Sequence, residues 1–175
     1  DKVASSPAHH VASAHELIGT ACVEIGYYDE AAEHFRRAME LEPDNVSHAW
    51  YYAWCLSQRE NWEELETVLP SLLARFPEDP FLLYHYGLLF IAKNDYEEAL
   101  SALEKAASLK ASYEIYYSLA WVLGKMGRWA EAKETLLKAL EGEVPADAIP
   151  TLYYSLGHYA LYGNDLEEAL HAFEK

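Results

Sequence analysis

The segment NDYEEAL at residues 94–100 recurs almost unchanged as NDLEEAL at residues 164–170. These two segments begin 70 residues apart. Three related segments continue the series in steps of about half that distance, GYYDEAA at 26–32, ENWEEL at 60–65 and GRWAEA at 127–132. Each has an aromatic residue or Leu three positions before a small or aliphatic one, which gives the series Ala31, Leu65, Ala99, Ala132 and Ala169. A second series lies twelve positions earlier, at Gly19, Ala53, Gly87, Ala120 and Gly157. Two series with one period of about 34 residues indicate an internal repeat.

Each repeat is predicted to form two helices joined by a tight turn. The first helix ends near a residue that takes the left-handed conformation readily, namely Gly26, Asn94, Gly127 and Asn164. The second helix opens with acidic residues, which the helix macrodipole favours there, namely Asp29-Glu30, Glu63-Glu64, Glu97-Glu98 and Glu167-Glu168. Prolines are expected to end second helices at Pro43 and Pro77 and to open first helices at Pro80 and Pro150.

This pattern resembles the tetratricopeptide repeat, most clearly at Gly19, Ala31, Phe35, Ala38 and Pro43 of the first repeat. The resemblance implies an all-α, right-handed solenoid of about five helix-turn-helix repeats, the last one incomplete, with the first helices lining a concave wall. The expected organisation is a mobile segment at 1–11 followed by repeats at about 12–45, 46–79, 80–112, 113–149 and 150–175.

Three features depart from the regular pattern. Pro70 lies inside the second helix of repeat two, where an interior proline predicts a bent or shortened helix. The connection GEVPADAIP predicts an enlarged turn at 141–149, which is either a local hinge or a tolerated insertion. The chain stops at Lys175 inside a second helix, so we expect either a longer protein or an end that a partner or another copy covers.

The wall of first helices is predicted to be rich in aromatic residues. Counting from each small residue, the positions six, three and two before it and one, four and five after it should face the groove. Nine of the 24 aromatic residues occupy such positions, but only four charged residues do, Glu16, Glu24, Glu114 and Lys125. The candidate ligand-binding residues are Trp50, Tyr51, Trp54, Phe81, Tyr84, His85, Tyr117, Trp121, Tyr154, His158 and Tyr162.

Two interpretations of these rings stay open. They can form core, packed on one another and on the neighbouring repeat, and this applies most to Tyr51 and Trp54. Alternatively Trp50, Tyr84 and Tyr117, which recur at one register with Tyr154, form a ladder on which an extended peptide or a partner helix lies. The second interpretation predicts that Trp50→Ala with Tyr84→Ala abolishes binding and preserves helicity.

Charge and composition disfavour several classes of partner and location. The chain carries 13 Lys and Arg against 29 Asp and Glu, a formal charge of −16, so nucleic acid and anionic membranes are poor partners. No apolar stretch approaches the length of a bilayer span, and the two cysteines are expected to be buried free thiols. We therefore expect a cytoplasmic protein, while the missing initiator Met leaves a removed leader open.

No pattern of residues predicts catalysis, a cofactor or a resident metal ion. His9, His10 and His15 with Glu16 are the only candidate metal ligands, and adjacent ligands diverge on a helix. The paired acids recur at every second-helix start but one, as capping requires, and the hydrolase, zinc-protease and phosphate-loop motifs are missing from the sequence. The family's carboxylate-clamp positions hold Glu16, Thr20, Tyr51, Phe81 and His85 here, so a chaperone-tail adaptor is not expected.

The sequence therefore predicts a non-enzymatic protein-interaction module whose groove binds an apolar or aromatic-containing peptide or a partner helix. The runner-up is a self-assembling scaffold that pairs through its C-terminal end or through its groove. A less favoured third interpretation is the regulatory repeat region of a larger enzyme.

Overall fold

The computed structural model describes residues 7–175, and all the regular secondary structure in that range is helical. The chain divides into two compact units, an N-terminal unit (Asp1–His85) and a C-terminal unit (Tyr86–Lys175). The helices are α1 (Pro7–Glu24), α2 (Tyr28–Leu41), α3 (Val46–Gln58), α4 (Trp62–Arg75), α5 (Pro80–Ala92), α6 (Tyr96–Leu109), α7 (Tyr113–Lys125), α8 (Trp129–Glu141), α9 (Ile149–Tyr162) and α10 (Leu166–Phe173).

Helices pack on their neighbours along the chain. In the N-terminal unit α2 packs on α1 and on α3, and α3 also packs on α4. In the C-terminal unit α7 packs on α6 and α8, and α9 packs on α8 and α10. The all-α fold of paired helix-turn-helix repeats that the sequence predicts is confirmed.

The small residues of the repeat mark close approaches between paired helices. A Cβ added at Gly19 would lie 3.0 Å from ring atoms of Phe35, which is fully buried. A Cβ at Gly87 would lie 2.7 Å from Cγ of Leu103. The first helix can therefore approach the second closely only with a very small residue at this position. The other series, Ala31, Leu65, Ala99, Ala132 and Ala169 of the second helices, is buried throughout.

The turns between paired helices have the predicted left-handed residues. Gly26, Asn94, Gly127 and Asn164 all have positive φ, between 60° and 81°. Three second helices are also capped at their start, where the side chains of Asn61, Asp95 and Asp165 accept a hydrogen bond from a backbone N–H.

Glu60 occupies the equivalent turn position in repeat two and was not predicted. Its φ is +53°, and its backbone N–H donates to the carbonyl of Ser57 at 3.0 Å. The turn geometry is therefore the same as in the other repeats, although this residue type is strained in it.

Glu60→Gly is expected to raise the free energy of unfolding by about 0.5–1 kcal/mol. A left-handed non-glycine residue costs about 1–2 kcal/mol, and the greater freedom of glycine in the unfolded chain offsets about half of that gain. Urea unfolding followed by circular dichroism measures the change. Asn94→Gly is the matched control and should gain less, because Asn tolerates this conformation. Equal or reversed effects would contradict the explanation.

Two boundary expectations need correction. Pro70 does not shorten its helix, since α4 has 14 residues, as many as α2 and α6. Pro70 lies on an exposed face, where water can solvate a carbonyl that loses its helical donor. Of the segment 1–11 that was expected to be mobile, residues 1–6 lie outside the described residues. Residues 7–11 form the start of α1, which opens on Pro7.

Candidate functional site

An open cavity of about 400 Å³ lies on the first-helix face of the N-terminal unit. Its lining residues come from three first helices, which the repeat places side by side. The lining consists of Val23 from α1, Trp50, Tyr51 and Trp54 from α3, and Phe81 and His85 from α5. Five of these six residues are candidates from the sequence, and Val23 occupies a predicted groove position in α1.

The aromatic residues of this cavity differ in whether they also pack against the second helix α2. Tyr51 stacks on Phe35 with centroids 4.7 Å apart, and Trp54 packs edge-on against Tyr28 at 5.4 Å. Trp50 instead packs against Phe81 of the first helix α5, with ring centroids 4.8 Å apart. Tyr51 and Trp54 thus have structural partners on α2, as the first interpretation expects, whereas Trp50 and Phe81 form a pair at the cavity.

Trp50 also carries a polar group that the fold leaves unsatisfied. Its indole Nε1 is buried and has no hydrogen-bond acceptor among the described residues. A buried donor without an acceptor costs about 1–3 kcal/mol.

His85 is only 4% exposed and forms the floor of the cavity. Its Nδ1 lies 3.0 Å from Oγ of Ser57, whose hydroxyl donates to the carbonyl of Ala53. Because that hydroxyl proton is used, the Nδ1–H of His85 is the donor in the pair. Burial lowers the pKa of His85 to about 4, so the ring is neutral at physiological pH. His85 was predicted as a ligand contact, but its burial leaves little of it accessible.

A second cavity, of about 300 Å³, lies in the C-terminal unit between α7, α8 and α9. It brings together four of the predicted residues, Trp121, Tyr154, His158 and Tyr162. Trp129 stacks on Tyr162 at 4.8 Å, and Lys125 Nζ lies 4.8 Å from the ring centroid of Trp121. Lys125 is the one charged residue among the described residues lining this cavity.

Sequence reasoning missed Trp129 and Tyr159 as lining residues of this second cavity. Neither residue occupies a position counted as facing the groove, since Trp129 lies at the start of a second helix and Tyr159 lies two positions after Gly157. Burial raises the pKa of Tyr159 to about 12. The missing side chain of Gly124 makes room for this ring, since a Cβ there would lie 2.6 Å from Cε1 of Tyr159.

Gly124→Ala is therefore expected to displace the Tyr159 ring and to destabilise the protein by about 1–3 kcal/mol, as overpacking does. The measurement is the free energy of unfolding together with tyrosine and tryptophan fluorescence. Gly142→Ala is the matched control, because the nearest atom to a Cβ there is 3.5 Å away. Equal stability of the two variants would contradict this packing.

Two predicted residues line neither cavity. Tyr84 and Tyr117 are both half-buried, and Tyr84 packs edge-on against His85 at 5.4 Å. The ladder of Trp50, Tyr84, Tyr117 and Tyr154 as a binding surface therefore stays a prediction.

Comparison with known proteins decides the family. Two family models described as tetratricopeptide repeat match this chain, one over residues 12–45 and one over residues 90–149. Together they cover more than half of its 175 residues. The chain belongs to the tetratricopeptide repeat family. Tetratricopeptide repeat proteins generally act by binding protein partners.

Relatives of this tetratricopeptide chain are distant. The RNA polymerase-associated protein CTR9 of Caenorhabditis elegans is 27% identical over 176 residues, covering 95% of this chain and 15% of that protein. The TPR repeat-containing protein MJ1428 of Methanocaldococcus jannaschii is 25% identical over 153 residues, covering 87% of this chain and 27% of that protein. The chain thus spans less than a third of the length of these curated relatives.

A solved structure, that of PilF from Pseudomonas aeruginosa, shares the fold. It superposes with a TM-score of 0.78 at 18% identity, covering 97% of this chain and 76% of that chain. At this identity the likeness concerns the tetratricopeptide fold alone.

His9, His15 and His34 of the N-terminal unit each have a hydrogen-bond partner. Nδ1 of His15 lies 2.8 Å from Nδ1 of His34, and burial together with the charge of His15 lowers the pKa of His34. His9 hydrogen-bonds Glu42. Within residues 7–175 no three His, Cys, Asp or Glu side chains are grouped closely enough to hold a metal ion.

The two cysteines are free thiols, and burial raises the pKa of Cys55 to about 12, which makes it a poor nucleophile. No helix in the described part of the chain combines the length and the apolar character that crossing a membrane requires.

Proposed function

We propose that this tetratricopeptide chain is a non-enzymatic interaction module. In this proposal the cavity of the N-terminal unit binds an aromatic or branched aliphatic side chain of a partner protein segment. The observation that carries the proposal is the open cavity whose wall is formed by Trp50, Tyr51, Trp54 and Phe81. Aromatic residues dominate the contacts that contribute most to protein association.

The charges around the cavity favour an uncharged anchor. None of the described residues that line it is Asp, Glu, Lys or Arg, and His85 at its floor is neutral. A charged ligand group would lose its hydration there without gaining a partner.

The net charge of −16 favours basic residues on either side of that anchor. Long-range attraction of this kind acts mainly on the association rate and is screened by salt. We therefore propose a partner segment with an apolar or aromatic anchor between Lys or Arg residues.

The cavity of the C-terminal unit is proposed as an additional contact for the same class of segment. It offers Trp121, Tyr154 and Tyr162, the last two well exposed. His158 completes the set of predicted residues that face it.

The test is selection of random 12-residue peptides on the immobilised chain, followed by fluorescence anisotropy of the enriched peptides. We expect enrichment of Trp, Phe or Leu flanked by Lys or Arg, and weaker binding to the Trp50→Ala variant. Enriched peptides that bind wild type and Trp50→Ala equally would reject the cavity as the site. Failure to enrich any peptide would count against the proposal itself.

A further inference from the structure

The floor of the N-terminal cavity carries a hydrogen-bond acceptor. The Nδ1–H of His85 donates to Oγ of Ser57 at 3.0 Å, because the hydroxyl proton of Ser57 is already donated to the carbonyl of Ala53. A neutral imidazole carries a single N–H, so this bond leaves Nε2 of His85 unprotonated, with a lone pair that can accept. Burial lowers the pKa of His85 to about 4, so the ring keeps this state at physiological pH.

This Nε2 atom opens into the cavity. Among the described residues the His85 ring has one hydrogen-bond partner, Ser57, which is bound at Nδ1. The side-chain nitrogens in that part of the chain that are both fully covered and unpaired are Nδ1 of His48 and Nε1 of Trp50, so Nε2 of His85 is not fully covered. Because the rest of the ring is buried and lines this cavity, Nε2 is an unpaired acceptor that a bound group can reach.

The walls of the cavity favour an aromatic group as the bearer of the matching donor. They are formed by the rings of Trp50, Tyr51, Trp54 and Phe81. An indole combines a large apolar ring with one N–H donor and no acceptor, so a single acceptor satisfies it. A tyrosine hydroxyl also donates, but its oxygen has two lone pairs that need donors once water is displaced. Phenylalanine and leucine bring no donor and would leave Nε2 of His85 unpaired.

We propose that His85 determines the specificity of this cavity by accepting a hydrogen bond from the indole N–H of a tryptophan in the partner segment. This inference rests on the proposed function, and it narrows the anchor from apolar and aromatic side chains in general to tryptophan. Ser57 is a positioning residue, because it fixes the tautomer of His85 and does not itself line the cavity.

The test compares four fluorescein-labelled pentapeptides on the full chain by fluorescence anisotropy. Each has Trp, benzothienylalanine, Phe or Gly between two pairs of lysines. Benzothienylalanine has the shape of tryptophan with sulfur in place of the indole N–H, so it keeps the apolar contact and loses the donor. We expect the wild type to bind the Trp peptide about tenfold more tightly than the benzothienylalanine peptide, because a buried acceptor then loses its partner. The Gly peptide measures the attraction between the charges alone.

Two variants examine the acceptor from the side of the protein. His85→Phe removes the acceptor and keeps a ring, and we expect the preference for Trp over benzothienylalanine to fall below about twofold. His85→Gln keeps an amide oxygen that can accept, and as the matched control it should retain a preference above about threefold. Circular dichroism establishes that each variant is folded. The comparison of peptides on the wild type decides the question even if His85→Phe does not fold.

The possible failures of this inference and of the proposed function differ. Equal binding of the Trp and benzothienylalanine peptides to the wild type, lost in Trp50→Ala, would overturn the role of His85 and leave the cavity as the binding site. A preference for Trp that persists undiminished in folded His85→Phe would also overturn it. A Trp peptide that binds no more tightly than the Gly peptide would reject both the inference and the proposed function.

Discussion

A Trp50→Ala, Phe81→Ala double variant is expected to bind the selected peptides about 1,000-fold more weakly than the wild type. Each ring that loses ~80 Å² of contact with a ligand forfeits about 2 kcal/mol at ~25 cal/mol per Å². Two rings therefore lose about 4 kcal/mol, which corresponds to about three powers of ten in the dissociation constant. Fluorescence anisotropy with one labelled peptide measures the change.

Tyr84→Ala is the informative control for this experiment. Tyr84 lies on the same helix as Phe81 but does not line the cavity. A loss below about threefold would locate binding in the cavity, whereas a loss equal to that of Trp50→Ala would favour the extended ladder. Phe81→Leu keeps an apolar side chain and separates lost contact from lost packing. An unchanged affinity in the folded double variant would contradict the proposed site.

The second large effect concerns the buried His85 and the stability of the fold at acid pH. Burial lowers its pKa from 6.5 to about 4, so the folded protein holds the ring neutral while the unfolded chain protonates it below pH 6.5. The contribution of His85 is fully present above pH 6.5 and is lost as the pH falls to 4. Because each tenfold difference in proton affinity between the folded and unfolded states corresponds to about 1.4 kcal/mol, the loss is about 3 kcal/mol.

His85→Asn isolates this contribution from the many carboxylates that titrate in the same range. Asn removes the titrating group and keeps a donor that can reach Oγ of Ser57, the partner of Nδ1 in the wild type. We expect the stability difference between wild type and variant to shrink by about 3 kcal/mol between pH 7 and pH 4, as measured by urea unfolding. If the free energies of unfolding of wild type and variant instead fell in parallel between pH 7 and pH 4, His85 would be protonated equally in the folded and unfolded protein. This result would contradict the prediction.

The repeats could be predicted from the sequence because their determinants are local and recur. The series of Gly and Ala residues in the first helices recurs in every repeat, and the left-handed turn residues Gly26, Asn94, Gly127 and Asn164 recur in four of the five. Glu60 could not be predicted in this way. The hydrogen bonds of the turn hold it in a left-handed conformation that glutamate rarely adopts. The shortening expected at Pro70 does not occur, and Pro70 lies on an exposed face of α4, while the alternative of a bend there stays a prediction.

The candidate site could be predicted only in part. Register along the helix predicts which side chains share a face, and Trp50 and Trp54 both line the cavity of the N-terminal unit. It could not show that Trp129 reaches the second cavity, or that His85 is covered, because both depend on ring contacts between helices. A repeat pattern therefore does not determine the side-chain contacts between helices that complete the site.

The most direct test of the proposed cavity is to follow the five tryptophan indole N–H signals in a ¹⁵N–¹H spectrum during titration with a selected peptide. We predict large shifts for Trp50 and Trp54, because both rings line the cavity. Trp62, at the start of the second helix α4, should not move. Saturable binding that leaves the Trp50 signal in place would contradict binding in this cavity.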